Sequence, residues 1–246
     1  MICGGSRGLG RAIALRLGGP RTVVVINYRS DDEAAAQTAD AVTALGGRAT
    51  VIRADVGTDE GVSSLFDEIE RAGFGLDVYV HNAYAKVATA PMSTDADGWH
   101  RAMAVGPLAF LRCAQRAVPL MKMKGHGRIL ATSSVAPQRL FNTEHGDKYF
   151  PMAVAKGSIE VTARYLAVEL APFDITVNVV APGYMKTDNF PGAGGEQLMR
   201  RVVGRTPLGR VPDPDEVAAV FAFLASDDGS WVTGQTILSD GGFALI

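Results

Sequence analysis

The strongest constraint in this sequence is an alternation. Five apolar, β-branched runs are "TVVVINY" (22–28), "RATVIRAD" (48–55), "LDVYVHN" (76–82), "GRILATSS" (127–134) and "DITVNVVAP" (174–182). Between them lie segments of helical pattern, roughly 8–18, 31–46, 58–72, 95–122 and 151–171. The apolar runs are nearly unbroken, which suits strands buried on both faces. Strands that alternate with helices predict a parallel sheet with helices on both sides. The expected fold class is therefore α/β, a doubly wound parallel sheet in a single domain over residues 1–246. A last strand, "GQTILSD" (234–240), precedes Gly241 and Gly242. The opening strand is cut short at "MIC", as if residues had been removed ahead of it.

Composition narrows the function classes. A chain of 246 residues with 47% hydrophobic and 20% charged residues can bury one full core. Its formal net charge of −2 marks neither a nucleic-acid nor a membrane partner. Cys3 and Cys113 are too few for a disulfide framework, and neither has metal-ligand spacing, so no metal is expected. No apolar run reaches the ~18 residues of a membrane span, and the expected compartment is the cytoplasm. The most irregular stretches, about 135–150 and 183–212, follow strand ends. Open α/β sheets bind ligands there, so these are read as substrate loop and lid.

The stretch "CGGSRGLGRAIALRL" runs from a strand end into a helix, with Gly4, Gly8 and Gly10 spaced G-x3-G-x-G. Glycines at this spacing let the backbone approach a pyrophosphate at a helix N-terminus, in the first turn of a Rossmann-type βαβ unit. The second strand ends "INYRSDD", with no acidic residue at its tip to hold a ribose 2′-hydroxyl. Arg29, Ser30 and, in the glycine turn, Arg7 instead suit a 2′-phosphate, because guanidinium pairs bidentately with phosphate. The expected cofactor is NADPH. Asp31 and Asp32 keep NADH as the alternative.

With these residues in view, the chain resembles the short-chain dehydrogenase/reductase family over nearly its whole length. The family's TGxxxGxG turn resembles residues 3–10, its Asp-Val pair Asp55 and Val56, and its NNAG strand end "HNAY" (81–84). "ATSSVA" (131–136) and "PGYMKT" (182–187) resemble its serine strand and its PGxxxT loop. The resemblance implies cofactor contacts from Gly4, Ser6, Arg7, Gly8, Leu9 and Gly10 in the turn and from Arg29 and Ser30 beyond the second strand. It also implies contacts from Asp55, Val56, Asn82 and Ala83, then Lys156, and then Pro182, Gly183, Met185 and Thr187. Ser134, Tyr149 and Lys156 are the implied catalytic residues. The family commonly forms tetramers or dimers through its two long helices, here about 95–122 and 151–171. Ala163, Leu166, Ala167 and Leu170 could serve that interface or the core.

The chemistry departs from the family pattern. The usual YxxxK tyrosine place holds Met152, the asparagine place holds Gly106, and Tyr84 replaces the glycine of the strand-end motif. "YFPMAVAK" places Tyr149 seven residues before Lys156, a spacing similar to that of enoyl-acyl-carrier-protein reductases. Positions i−4 and i−7 share a helix face with the lysine, but Pro151 suits the first helical turn and would leave Tyr149 just outside the helix. Lys156 would hold ribose hydroxyls, Tyr149 would donate to the oxygen that gains charge, and Ser134 would steady the substrate. Gly106-Pro107 interrupts a helix and frees the carbonyl of Met103, a candidate water ligand. Tyr84, Tyr184, Arg139, Glu144, His145 and Asp147 are further candidates to line the pocket. The reaction is hydride transfer to a C=C, C=O or C=N bond of a small metabolite or a carrier-bound acyl thioester. An iminium carbon would need no proton donor. A non-catalytic NADP(H) sensor is the competing class.

Overall fold

The computed structural model describes residues 1–139, 149–187 and 192–246. Seven strands form one parallel sheet: β1 (Ile2–Cys3), β2 (Val23–Tyr28), β3 (Arg48–Arg53), β4 (Val78–His81), β5 (Gly127–Thr132), β6 (Ile175–Pro182) and β7 (Thr236–Ser239), in the order β3-β2-β1-β4-β5-β6-β7. The helices are α1 (Gly8–Leu17), α2 (Asp32–Ala44), α3 (Asp59–Arg71), α4 (Ala96–Met103), α5 (Ala109–Lys124), α6 (Phe150–Leu170), α7 (Gly192–Gly204) and α8 (Pro214–Ala225).

Period-two alternation along each strand feeds two cores. Ile129 and Ala131 of β5 and Ile175, Val177 and Val179 of β6 meet Leu65, Phe66, Phe110, Ile159 and Ala163 from α3, α5 and α6. Leu130 and Val180 point the other way, toward Ile13 of α1 and Phe221 and Leu224 of α8. Every residue of β5 and β6 is buried, as expected of central strands covered on both faces.

The expected strands and helices form within a few residues of their sequence-based limits. The long pattern at 95–122 becomes α4 and α5 joined by a π-turn over Ala104–Leu108, around Gly106-Pro107. Proline at 107 cannot donate in an α ladder, so the chain widens by one residue there and continues. Helix α8 was not read from the sequence. Its signature is nonetheless local: Asp213 and Glu216 form a reciprocal capping box, with proline at the first helical position. Ala163, Ala167 and Leu170 are 1%, 3% and 3% exposed, and Leu166 packs partly buried beside them, so all four serve the core. The outer face of α6 carries Val161, Tyr165 and Val168, which are exposed.

Candidate active site

The strand order turns at β1, which lies between β2 and β4, and the crevice above this point is where such sheets take ligands. The glycine turn is drawn down over it. The Gly4 and Gly5 amides both donate to the Asn27 carbonyl at 3.0 Å. Gly4 lies at φ +72°, and a Cβ there would sit 3.0 Å from the Ala83 backbone. A Cβ on Gly10 would lie 2.0 Å from the Gly4 carbonyl oxygen, so only glycine fits. The first turn of α1 has neither a side-chain cap nor an acidic residue. Its amides are thus suited to an anion, and the cradle fits a dinucleotide pyrophosphate. Gly10→Ala is expected to destabilise the chain by ~3 kcal/mol, because the turn must shift off α1. That corresponds to a thermal midpoint lower by roughly 6–12 °C, which differential scanning calorimetry checks.

Lys156, on α6, reaches the same crevice and is 4% exposed. Its ammonium donates to the Thr132 carbonyl at 2.5 Å. The Thr132 hydroxyl donates to Asn82 Oδ1 at 3.1 Å, and Asn82 Nδ2 donates to the Gly4 carbonyl at 2.9 Å. One hydrogen-bonded chain therefore ties the lysine to the glycine turn through β5 and β4. Burial lowers the Lys156 pKa to about 8. The Tyr84 ring lies 5.8 Å from Nζ, so the residue that replaces the glycine of the strand-end motif lines the crevice beside the lysine.

His81 supports this floor from below, and sequence reading missed it. Its Nε2 lies 3.1 Å from the Val105 carbonyl and its Nδ1 3.0 Å from the Tyr79 hydroxyl. A carbonyl only accepts, so Nε2 carries the proton and Nδ1 accepts from Tyr79. Burial, reinforced by Lys156, lowers the His81 pKa to about 3, which keeps the ring neutral at pH 7. In the π-turn the Val105 carbonyl thus has a side-chain partner. At Gly106 a Cβ would stand 3.1 Å from Ala155 Cβ, so α6 packs close where the family has asparagine.

Ser134 follows β5 half-buried, its hydroxyl accepting from the Ala136 amide at 3.2 Å. Tyr149 is the N-cap of α6, at φ −106° and ψ 16°, with Pro151 in the first turn behind it. It therefore stands at the mouth of the helix that carries Lys156, half-buried. Phe150, next to it, packs on Trp99 with ring centroids 5.7 Å apart. Glu144, His145 and Asp147 lie outside the described residues, as do 140–148 of the substrate loop and 188–191 of the lid. The described parts of both meet at the C-terminus: Arg139 donates to the Phe243 carbonyl at 2.5 Å, and Tyr184 packs edge-on against the Phe243 ring at 5.9 Å.

Just past β3, Val56 is buried and Asp55 accepts the Gly57 amide at 2.9 Å. Ser6 offers its carbonyl to the Thr38 hydroxyl, and Leu9 is buried in the second core. Arg29 and Ser30 are exposed at the tip of β2, and Arg7 lies 3.9 Å from Asp31. Asp31 is occupied in capping α2, through the Ala34 amide at 3.0 Å. Arg53, which sequence reading missed, donates to the Arg29 carbonyl at 3.2 Å and lies 3.6 Å from Asp32. Both acids thus have partners, and three arginines, Arg7, Arg29 and Arg53, border the turn that follows β2. At the far side β6 ends in Pro182, and the Gly183 amide donates to Ser239 at 3.2 Å. Met185 packs on the second core, and Thr187 ends that described stretch half-buried.

Comparison with known proteins agrees with this geometry. Residues 4–244 match the family model described as enoyl-(acyl carrier protein) reductase. The chain is 36% identical over 249 residues to 1-cyclohexenylcarbonyl-CoA reductase of Streptomyces collinus, covering all of this chain and 86% of that one. It is 34% identical over 259 residues to the chloroplastic NADPH-dependent aldehyde reductase 2 of Arabidopsis thaliana, covering 100% and 93%. Among solved structures it resembles the promiscuous reductase LugOII, which catalyses keto-reduction at C1 during lugdunomycin biosynthesis, with TM-score 0.88, 32% identity and coverage of 99% and 96%. With the nicotinamide-type crevice and the buried lysine in place, these matches make the chain an oxidoreductase that belongs to the short-chain dehydrogenase/reductase family.

Proposed function

We propose that this chain is an NADPH-dependent reductase that delivers hydride to a conjugated C=C bond of an acyl thioester. The observation that carries this reading is the pairing of buried Lys156 with Tyr149 at the head of the same helix, seven residues ahead, while Met152 fills the i−4 place. The activity that names the Streptomyces relative, reduction of a cyclohexenylcarbonyl-CoA, supports the substrate class. The Arabidopsis and LugOII resemblances support a carbonyl as the second choice, in specialised metabolism.

NADPH supplies the hydride when bound. Ser6, Arg7, Gly8, Leu9 and Gly10 would hold its phosphates and Asp55, Val56, Asn82 and Ala83 its adenosine side, while Pro182, Gly183, Met185 and Thr187 would cover the nicotinamide. Lys156 would hold the ribose hydroxyls through the ammonium donors that Thr132 leaves over. As hydride arrives at the β-carbon, the C=C electrons move onto the thioester oxygen. Tyr149 would donate a hydrogen bond there, Ser134 would orient the same group, and the α-carbon of the enolate would then take its proton from solvent.

Arg7, Arg29 and Ser30 make the 2′-phosphate pocket. Replacing both arginines by alanine is expected to raise the NADPH dissociation constant about tenfold or more, since a charge-assisted hydrogen bond is worth ~1.5–3 kcal/mol. NADH affinity should stay within about threefold. Titration of the intrinsic NADPH fluorescence measures both, and an equal loss for the two cofactors would return Arg7 and Arg29 to the solvated surface.

NADPH oxidation at 340 nm with crotonyl and acetoacetyl thioesters and with cyclic iminium compounds tests the substrate class. Turnover of crotonyl thioester is the expected result. Turnover of iminium compounds alone would favour a C=N reductase that gave up its acid. Tight NADPH binding with no hydride loss on any of them would favour a sensor. In the cell the enzyme is expected in the cytoplasm as a homotetramer or homodimer. The exposed Val161, Tyr165 and Val168 on α6 support such an assembly. No helix among the described residues is long and apolar enough to cross a membrane.

A further inference from the structure

We propose that Glu160 is a positioning residue, which holds Ser134 and the start of the substrate loop in register with Lys156. The inference rests on the reductase reading for its kinetic consequence, but the contacts behind it do not.

Glu160 lies one helical turn after Lys156 on α6 and is 8% exposed. Its carboxylate accepts from the Ser133 hydroxyl at 2.5 Å. Both of its oxygens accept from the Gln138 amide, each at 2.8 Å. Ser133 and Gln138 bracket Ser134, so one buried carboxylate grips the serine segment on both sides. Within that bracket the chain makes a tight turn. The Gln138 and Arg139 amides donate to the Val135 carbonyl at 3.0 and 2.9 Å, and the Ala136 amide donates to Ser134 Oγ.

The strand ladder itself runs out here. The Ser133 and Val135 amides still reach Val180 and Pro182 on β6 at 2.7 and 3.1 Å. Past Val135, the Gln138 side chain hydrogen-bonds the turn to the helix that carries the lysine. A carboxylate suits the junction because both oxygens accept and neither competes as a donor with the amide. A leucine there would strand the Gln138 amide and leave Ser133 only the Lys156 carbonyl, at 3.5 Å. Misplacing a substrate-orienting group by about 1 Å can lower a rate by ~10²-fold. The hydrogen-bonded chain from Lys156 through Thr132 and Asn82 to the glycine turn does not include Glu160.

The test compares Glu160→Leu, Glu160→Gln and Gln138→Leu with the wild type. For Glu160→Leu the expected result is a kcat about 30-fold lower with NADPH affinity unchanged within threefold. Glu160→Gln, which can still accept from Ser133, should recover most of the rate. A folded Glu160→Leu with wild-type kcat, or one whose NADPH affinity falls in step with kcat, would overturn the proposal. If Glu160→Leu does not fold, Gln138→Leu decides: a kcat about tenfold lower supports the role, and an unchanged kcat overturns it. Hydrogen exchange separates this proposal from the reductase reading. Even if the wild type turns over no thioester, Gln138→Leu should exchange the amides of Ala136, Gln138 and Arg139 at least tenfold faster while those of β6 keep their protection. Unchanged exchange there would sink the proposal whatever the substrate.

Discussion

Lys156→Met is expected to lower kcat/KM by about 10³-fold while making the chain more stable. The rate loss follows from removing a preorganised positive charge beside the reacting groups, a change worth ~10²–10³-fold at other sites, together with the donors to the ribose. The stability gain follows from burial. The Lys156 pKa falls from 10.5 to about 8 in the folded chain, a shift of about 2.5 units or ~3 kcal/mol. Below pH 8 both folded and unfolded states hold the proton, and the folded state bears the full desolvation. Between pH 8 and 10.5 the unfolded chain still holds the proton while the folded chain releases it, so wild-type stability gains from this group as pH rises. Methionine of similar volume removes the desolvation at pH 7. It leaves the Thr132 carbonyl without its donor, at about 1 kcal/mol, for a net gain of ~2 kcal/mol. Chemical denaturation at pH 7 and pH 10 measures it: the gap between variant and wild type should narrow at the higher pH. A less stable variant at pH 7 would mean that the ammonium is a structural prop. In the wild type, kcat/KM should fall above about pH 8, where the ammonium is lost.

This trade between stability and activity also shows which parts of the site are legible in sequence. The glycine turn is readable because its requirement is local: Gly4 must take φ +72° and Gly10 must carry no Cβ. The central strands are readable because burial on both faces leaves unbroken β-branched runs. Lys156 is readable by its place after the serine strand. Its lack of a carboxylate partner among the described residues is not, since that depends on what other elements bring near it. His81 and Glu160 escaped for the same reason. Their partners stand 24, 22 and 27 residues away, at Val105, Gln138 and Ser133, and no spacing rule joins them. Arg53 was hidden because β3 is read for its apolar residues, and the charged end of "RATVIR" counts as surface until β2 is laid beside it. Helix α8 is a different case: the pattern from Asp213 to Glu216 was present in the sequence and went unread.

Tyr149→Phe is expected to reduce turnover of crotonyl thioester by about 10²-fold or more and to leave a cyclic iminium substrate within about threefold of the wild type. The two substrates differ in what hydride creates. Addition to the enoyl β-carbon pushes a full charge onto the thioester oxygen, and a phenol donating there stabilises the transition state more than the ground state. Addition to an iminium carbon cancels a charge already present and leaves a neutral amine, so a phenol has nothing to stabilise. The position of Tyr149 fits this difference. It caps α6 rather than riding on it, and a substrate with no oxygen at that point need not engage it. Moving the phenol back to the family place, in Tyr149→Phe with Met152→Tyr, offers the complementary measurement. Recovery of ketone reduction but not of enoyl reduction would show that the seven-residue offset from Lys156 selects the longer, conjugated acceptor. Equal recovery on both would mean that any phenol near the lysine suffices, and that the acyl pocket sets the substrate class.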